Sequence, residues 1–122
     1  MPPELTHSVI GCAIEVHRAL GPGLLESAYE ECLAHEFVLS GLPFERQLTL
    51  PVEYKGHQLD CAYRIDLLVA EEVLLEVKAV DSLLPIHQAQ VLTYLKLGGW
   101  HIGLLINFNV PILTQGLRRL VL

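Results

Sequence analysis

The chain has 122 residues, enough for one domain around one core. Its hydrophobic fraction of 52% and mean hydropathy of +0.42 are high for so short a soluble chain. More apolar surface is therefore expected than one monomer buries, and with it a homodimer or a protein partner. A formal net charge of −6 with 8 Lys and Arg argues against broad, charge-driven nucleic-acid binding, which needs a basic footprint.

No apolar run approaches the roughly 18 to 20 residues of a membrane span. The opening Met-Pro-Pro-Glu lacks the basic and then apolar regions of a secretory signal, so a cytoplasmic protein is expected. Cys12, Cys32 and Cys61 are odd in number and never form a Cys-x-x-Cys pair, which speaks against a disulfide framework or zinc motif. The scattered histidines show no helical zinc spacing.

In chain order, Leu5 to Leu20 is predicted as a helix from the recurrence of Leu5, Val9, Cys12, Ala13, Val16 and Leu20. Gly21-Pro22-Gly23 stops it. Leu24 to Leu39 is predicted as a second helix with Leu25, Ala28, Tyr29, Cys32, Leu33 and Phe37 on its apolar stripe. An acid at Glu26, in its first turn, complements the helix dipole and caps free amides, so position alone does not assign Glu26 to a site. Strands are predicted over Phe44 to Tyr54, edged by Pro51, then Gln58 to Val69 and Val73 to Val80. A helix from Leu84 to Leu97, an apolar strand from Trp100 to Phe108 and a short strand from Leu117 to Leu122 complete a mixed α/β sandwich. With no repeat, low-complexity tract or linker, residues 1–122 are read as a single domain.

The chemistry gathers around Tyr63 to Lys78. Two apolar strand-like runs flank Ala70-Glu71-Glu72, and a hairpin centred on Glu71 sets Asp66 opposite Glu76. Alternation then puts Asp66, Glu76 and Lys78 on one face, with Ile65, Leu67, Val69, Leu75 and Val77 on the other. One explanation is a structural ion pair between Lys78 and an acid. The other is a hard-cation site, since Mg²⁺ takes one or two carboxylates plus water and phosphate, with a nearby lysine to offset phosphate charge. Arg64 falls beside Lys78 in this register, as a phosphate contact or as a partner for Glu76. On the third helix His87, Gln90 and Tyr94 share a face, with Ala89, Leu92 and Leu95 opposite for packing. That polar face either reaches the site or is an ordinary surface stripe, the second reading being favoured for His87.

Asp66 followed after nine residues by Glu76-Val77-Lys78 resembles the signature of the PD-(D/E)XK nuclease superfamily. Gln90-x-x-x-Tyr94 is similar to an extension found in its lambda-exonuclease-like branch. Gly23-x-x-Glu26-x-x-Tyr29 resembles the motif that names the small GxxExxY protein family, grouped with that superfamily. Tyr63-Arg64-Ile65-Asp66, Glu76-Val77-Lys78-Ala79-Val80 and Leu104-Leu105-Ile106-Asn107-Phe108 also look like that family, so the likeness runs from about Val9 to Leu120. The proline that usually precedes the aspartate in the superfamily is absent here.

The resemblance implies an αβββαβ restriction-endonuclease-like core, with a mixed central sheet flanked by helices. It also implies a metal-dependent phosphodiesterase that hydrolyses DNA, or RNA, with a metal-activated water. By it, Asp66 and Glu76 bind Mg²⁺ or Mn²⁺ with Glu26 as a further ligand, Lys78 activates water or stabilises the phosphorane, and Gln90 orients the site with Tyr94 in support. The alternative, which the acidic charge and apolar surplus favour, is a nuclease-fold interaction module or subunit without catalysis of its own.

Overall fold

Apolar residues three and four apart drive the first segment into a helix, and the computed structural model, which describes residues 3–122, forms α1 over Pro3–Leu20. The left-handed Gly21 and Gly23 turn the chain into α2 (Glu26–Ser40). There follow β1 (Phe44–Tyr54), β2 (His57–Val69), β3 (Val73–Lys78), α3 (Pro85–Gly98), β4 (Ile102–Asn107), a 3₁₀ turn at Leu113–Gly116 and β5 (Leu117–Val121). The five strands lie in the order β1-β2-β3-β4-β5 and are antiparallel except for the parallel pair β3–β4, which α3 connects. Pro51, which cannot donate to a ladder, sits on the edge strand β1 beside a register shift.

Both faces of the sheet are covered. Val9, Ala13, Tyr29, Leu33 and Phe37 of α1 and α2 pack on Leu67, Leu75, Val77 and Leu104. On the other face Val91, Tyr94 and Leu95 of α3 pack on Leu68, Leu74 and Leu105. Each fully buried side chain of this size contributes about 1.5–3 kcal/mol by leaving water. Cys12 is a buried member of the first cluster, as its place on the α1 stripe predicts. Among the described residues no helix is long and apolar enough to cross a membrane.

The pairs Leu67–Leu75, Leu68–Leu74 and Val69–Val73 are all centred on Glu71, which is the predicted hairpin register. Ala70 and Glu71 both take positive φ (51° and 58°), and the Glu72 N–H donates to the Val69 carbonyl at 3.0 Å. This is the backbone twist that two-residue hairpin turns favour, made here without asparagine or glycine.

Five residues depart from the packing faces expected of them. Ile65 does not share a face with Leu67 and Val69 but packs in the α3 cluster, because β2 turns over at Asp66, where its neighbour Gln47 on β1 takes φ +52°. Leu25 lies outside the α2 stripe and is 76% exposed, since the helix begins only at Glu26. Leu20, at the end of α1, is also exposed. In α3 Ala89 is exposed, while Tyr94, expected on the polar face, is buried with Val91 and Leu95.

Candidate active site

The site arises where β2 parts from β3. Ladder pairing stops at Leu67–Leu75, and the segment of β2 before that point pairs only with β1. The backbone amides of β3 beyond Leu75 on that side still need acceptors. Side-chain carboxylates supply them. The Val77 N–H donates to Asp66 Oδ2 at 2.8 Å, and the Ala79 N–H donates to Glu26 Oε2 at 3.2 Å. The Asp66 N–H in turn donates to Glu76 Oε1 at 3.3 Å. Glu26, from a different element and 53 residues from Ala79 in sequence, is thereby brought to the same end of β3 as Asp66 and Glu76.

Glu76 is only 5% exposed. Burial, and after it the negative charge of Asp66, lifts its pKa from 4.5 to about 8, against the opposing pull of the Asp66 N–H bond and the positive charge of Lys78. The ion pairs among the described residues are Arg18–Glu15 and Arg46–Glu30, so Lys78 and Arg64 do not neutralise either acid. Lys78 is half-buried opposite Asn107, whereas Arg64 is exposed opposite Thr49 on β1 and not beside Lys78, because β2 has left β3 by that point. A buried acid set against a second carboxylate, with neither in an ion pair, is the arrangement that functional sites maintain and structural ion pairs avoid.

The Gly23-x-x-Glu26-x-x-Tyr29 segment has a direct physical purpose. Gly23 sits at φ +98°, a conformation that L side chains rarely adopt. The buried Tyr29 hydroxyl donates to the Gly21 carbonyl at 2.7 Å and accepts from the Leu24 N–H at 3.0 Å. Its ring stacks on Phe108 at 4.6 Å between centroids. The loop so pinned fixes the start of α2 and hence Glu26. Tyr29→Phe strands the Gly21 and Leu24 backbone groups and is expected to cost about 1–3 kcal/mol in urea unfolding. An unchanged midpoint would show that these bonds do not hold the loop.

On α3, His87 turns back to its own helix, where Nδ1 accepts from the Leu84 N–H at 3.0 Å. It caps α3, a role that neither of its two sequence readings named. Gln90 lies one turn before Tyr94, whose pKa is raised by burial first and then by the charges of Glu76 and Tyr63. Tyr94 therefore faces the acidic pair as a protonated phenol, with the Tyr63 ring 6.0 Å away.

Four further residues hold the site together. Glu30 is buried and accepts from Arg46 and Gln47, and Gln47 also reaches Asp66. Asn107 clamps the chain leaving β3, accepting from the Val80 N–H and donating to the Val80 carbonyl, both at 3.0 Å. Glu30 does leave a trace in the sequence, an acid one residue after Tyr29 and three before Leu33 on the buried stripe. Arg46 and Gln47 leave none, because their partners are remote in the chain.

Asp66 and Glu76 suit a hard divalent cation. Both offer oxygen ligands, they are adjacent, and the charge of Asp66 raises the energy of charge on Glu76. Among the described residues no three His, Cys, Asp or Glu side chains already converge as a cluster, so Glu26 is close to the pair without joining it.

A family model described as the PD-(D/E)XK nuclease superfamily matches residues 3–120. No curated protein and no solved structure gave a match.

Proposed function

From the premise that this chain belongs to the PD-(D/E)XK nuclease superfamily, we propose that it is a metal-dependent nuclease acting on DNA in preference to RNA. Within the superfamily we assign it to the GxxExxY proteins and the lambda-exonuclease-like branch. We read α2, β1 to β3, α3 and β4 as its αβββαβ core. The observation that carries this reading is the buried Glu76 carboxyl beside the half-buried Asp66, with neither acid in an ion pair among the described residues.

In this reading Asp66 and Glu76 hold Mg²⁺ or Mn²⁺, with Glu26 as the nearest additional acid. The ion supplies Lewis-acid polarisation of the phosphate and a more acidic water. Lys78, half-buried and without an ion pair, presents positive charge to the scissile phosphate as negative charge builds there. Tyr94 presents its phenol to the acids, and Gln90, one turn earlier on α3, orients the phosphate or its water with it. Arg64, on the exposed ribbon before Asp66, contacts the nucleic-acid backbone.

The test is calorimetric titration of Mg²⁺ and Mn²⁺ into wild type, Asp66→Ala and Glu76→Ala, with cleavage of DNA and RNA oligonucleotides alongside. Wild type is expected to bind and cleave, and both variants to lose the two properties together. A variant that cuts as well as wild type refutes the assignment. A second reading, an interaction module or subunit without catalysis, is favoured by the exposure of Leu25, Leu39 and Ile86 at 76%, 66% and 65%. Wild type that binds no ion at millimolar concentration, with or without an oligonucleotide, would establish that reading instead.

A further inference from the structure

Resting on the assignment of Asp66 to the cleavage site, we propose that Gln47 is a positioning residue that sets the Asp66 carboxylate and ties it, through Glu30, to α2. Gln47 lies inside a strand yet has φ +52°, a conformation that L-residues adopt only at a cost. The two hydrogens on its Nε2 go to two carboxylates, Glu30 Oε1 at 2.8 Å and Asp66 Oδ1 at 3.4 Å. Two acceptor-only groups facing one amide leave no alternative orientation for it.

Each carboxylate is held at both oxygens. Asp66 has Gln47 on Oδ1 and the Val77 N–H on Oδ2. Glu30 has Gln47 on Oε1 and Arg46 on Oε2, at 3.2 Å from Nε and 3.0 Å from Nη2.

The backbone conformation and the side-chain bridge have one geometric result. Arg46 points to the α2 side and Leu48 to the α3 side, so β1 turns over at Gln47, and β2 turns over at Asp66 directly across from it. The Asp66 carboxylate thereby leaves the regular alternation of the strand and enters the gap beside Val77. Helix α2 is then the strut of the site. Glu26 ties its first residue to β3 at Ala79, and Glu30, one turn on, ties it to β2 through Gln47. The spacing of the two strands at the acidic pair is set from one rigid helix. Residues that support metal-binding carboxylates from behind in this way typically affect affinity or rate by about 10- to 100-fold.

The test compares wild type, Gln47→Gly and Gln47→Glu in thermal unfolding, Mn²⁺ calorimetry and steady-state cleavage of the DNA oligonucleotide cut by wild type. Gln47→Gly removes the amide and also the backbone cost, two effects of opposite sign, so its melting temperature should stay within a few degrees of wild type. Its Mn²⁺ affinity should fall about tenfold or more, and kcat about 10- to 100-fold with KM little changed. Gln47→Glu places a third carboxylate against Glu30 and Asp66 and should lower melting temperature and kcat together. If Gln47→Gly binds Mn²⁺ and turns over like wild type while Asp66→Ala does neither, the positioning proposal fails and the site assignment stands. If wild type itself shows no Asp66-dependent binding or cleavage, both fail.

Discussion

Glu76→Gln is expected to make the metal-free protein markedly more stable at pH 8 while eliminating divalent-cation binding and cleavage. The argument is one of linkage. The Glu76 carboxyl has a folded pKa of about 8 against 4.5 in its ordinary state, so the native protein holds this proton more tightly than the unfolded chain. Stability therefore falls as pH rises from about 4.5 to about 8, the window in which the unfolded chain has given up the proton and the native state has not. A rise of this size corresponds to a destabilisation on the order of 3–5 kcal/mol at the top of that window. Glutamine keeps the shape and the oxygen that accepts from the Asp66 N–H, and removes the buried charge. In urea unfolding with EDTA, Glu76→Gln should exceed wild type by about 2–4 kcal/mol at pH 8, with the gap closing toward pH 4. Adding Mn²⁺ should raise the stability of wild type and leave the variant unmoved. Binding near pH 7 must also displace the Glu76 proton, so its calorimetric heat should depend on the ionisation enthalpy of the buffer. Parallel stability curves for the two proteins across this pH range would mean that Glu76 is not held as a strained acid.

How much of this could be read from the chain follows from the range of each interaction. The β2–β3 register was legible because it is local: a polar break at Ala70 to Glu72 between two apolar runs centres the hairpin on Glu71 and brings 66 to 76. Glu26 was legible only through its motif, since its contact with Ala79 depends on how α2 docks on the sheet. Strict alternation through Asp66 misplaces Ile65, and nothing in the residue type of Gln47 announces a positive φ. The faces of α3 are hidden in the sequence for another reason. Ile86, Val91, Leu92, Leu95 and Leu97 distribute apolar groups widely around that helix, so the direction of the sheet cannot be taken from periodicity. The supporting set of Glu30, Arg46 and Gln47 is tertiary by construction, with partners 16 and 17 positions apart. What the sequence displayed was the set of groups able to carry charge at the site, and what it concealed was the scaffold that aims them.

Replacing Lys78 separates the remaining explanations for a lysine among these acids. If Lys78 served as a structural partner of Glu76 or Asp66, an ion pair would be present, and removing the lysine would leave a buried acid uncompensated and the fold weakened. The structure has no such pair, and Lys78 is half-buried at the end of β3. Lys78→Met keeps most of the length and the apolar stem while deleting the charge, so the fold should change by less than about 1 kcal/mol. Mn²⁺ affinity should hold or rise, because a positive charge near Glu76 that opposes cation binding is gone. The cost should fall on the chemical step, where a lost charge-stabilising donor is worth roughly 10²–10³ in rate. Single-turnover cleavage at saturating Mn²⁺ measures this directly, since binding and product release are then separated from chemistry. Lys78→Arg, which restores charge but spreads it over a planar group, should recover only part of the rate. A Lys78→Met protein that cleaves within a fewfold of wild type would remove the lysine from the reaction and leave the carboxylates to carry it alone.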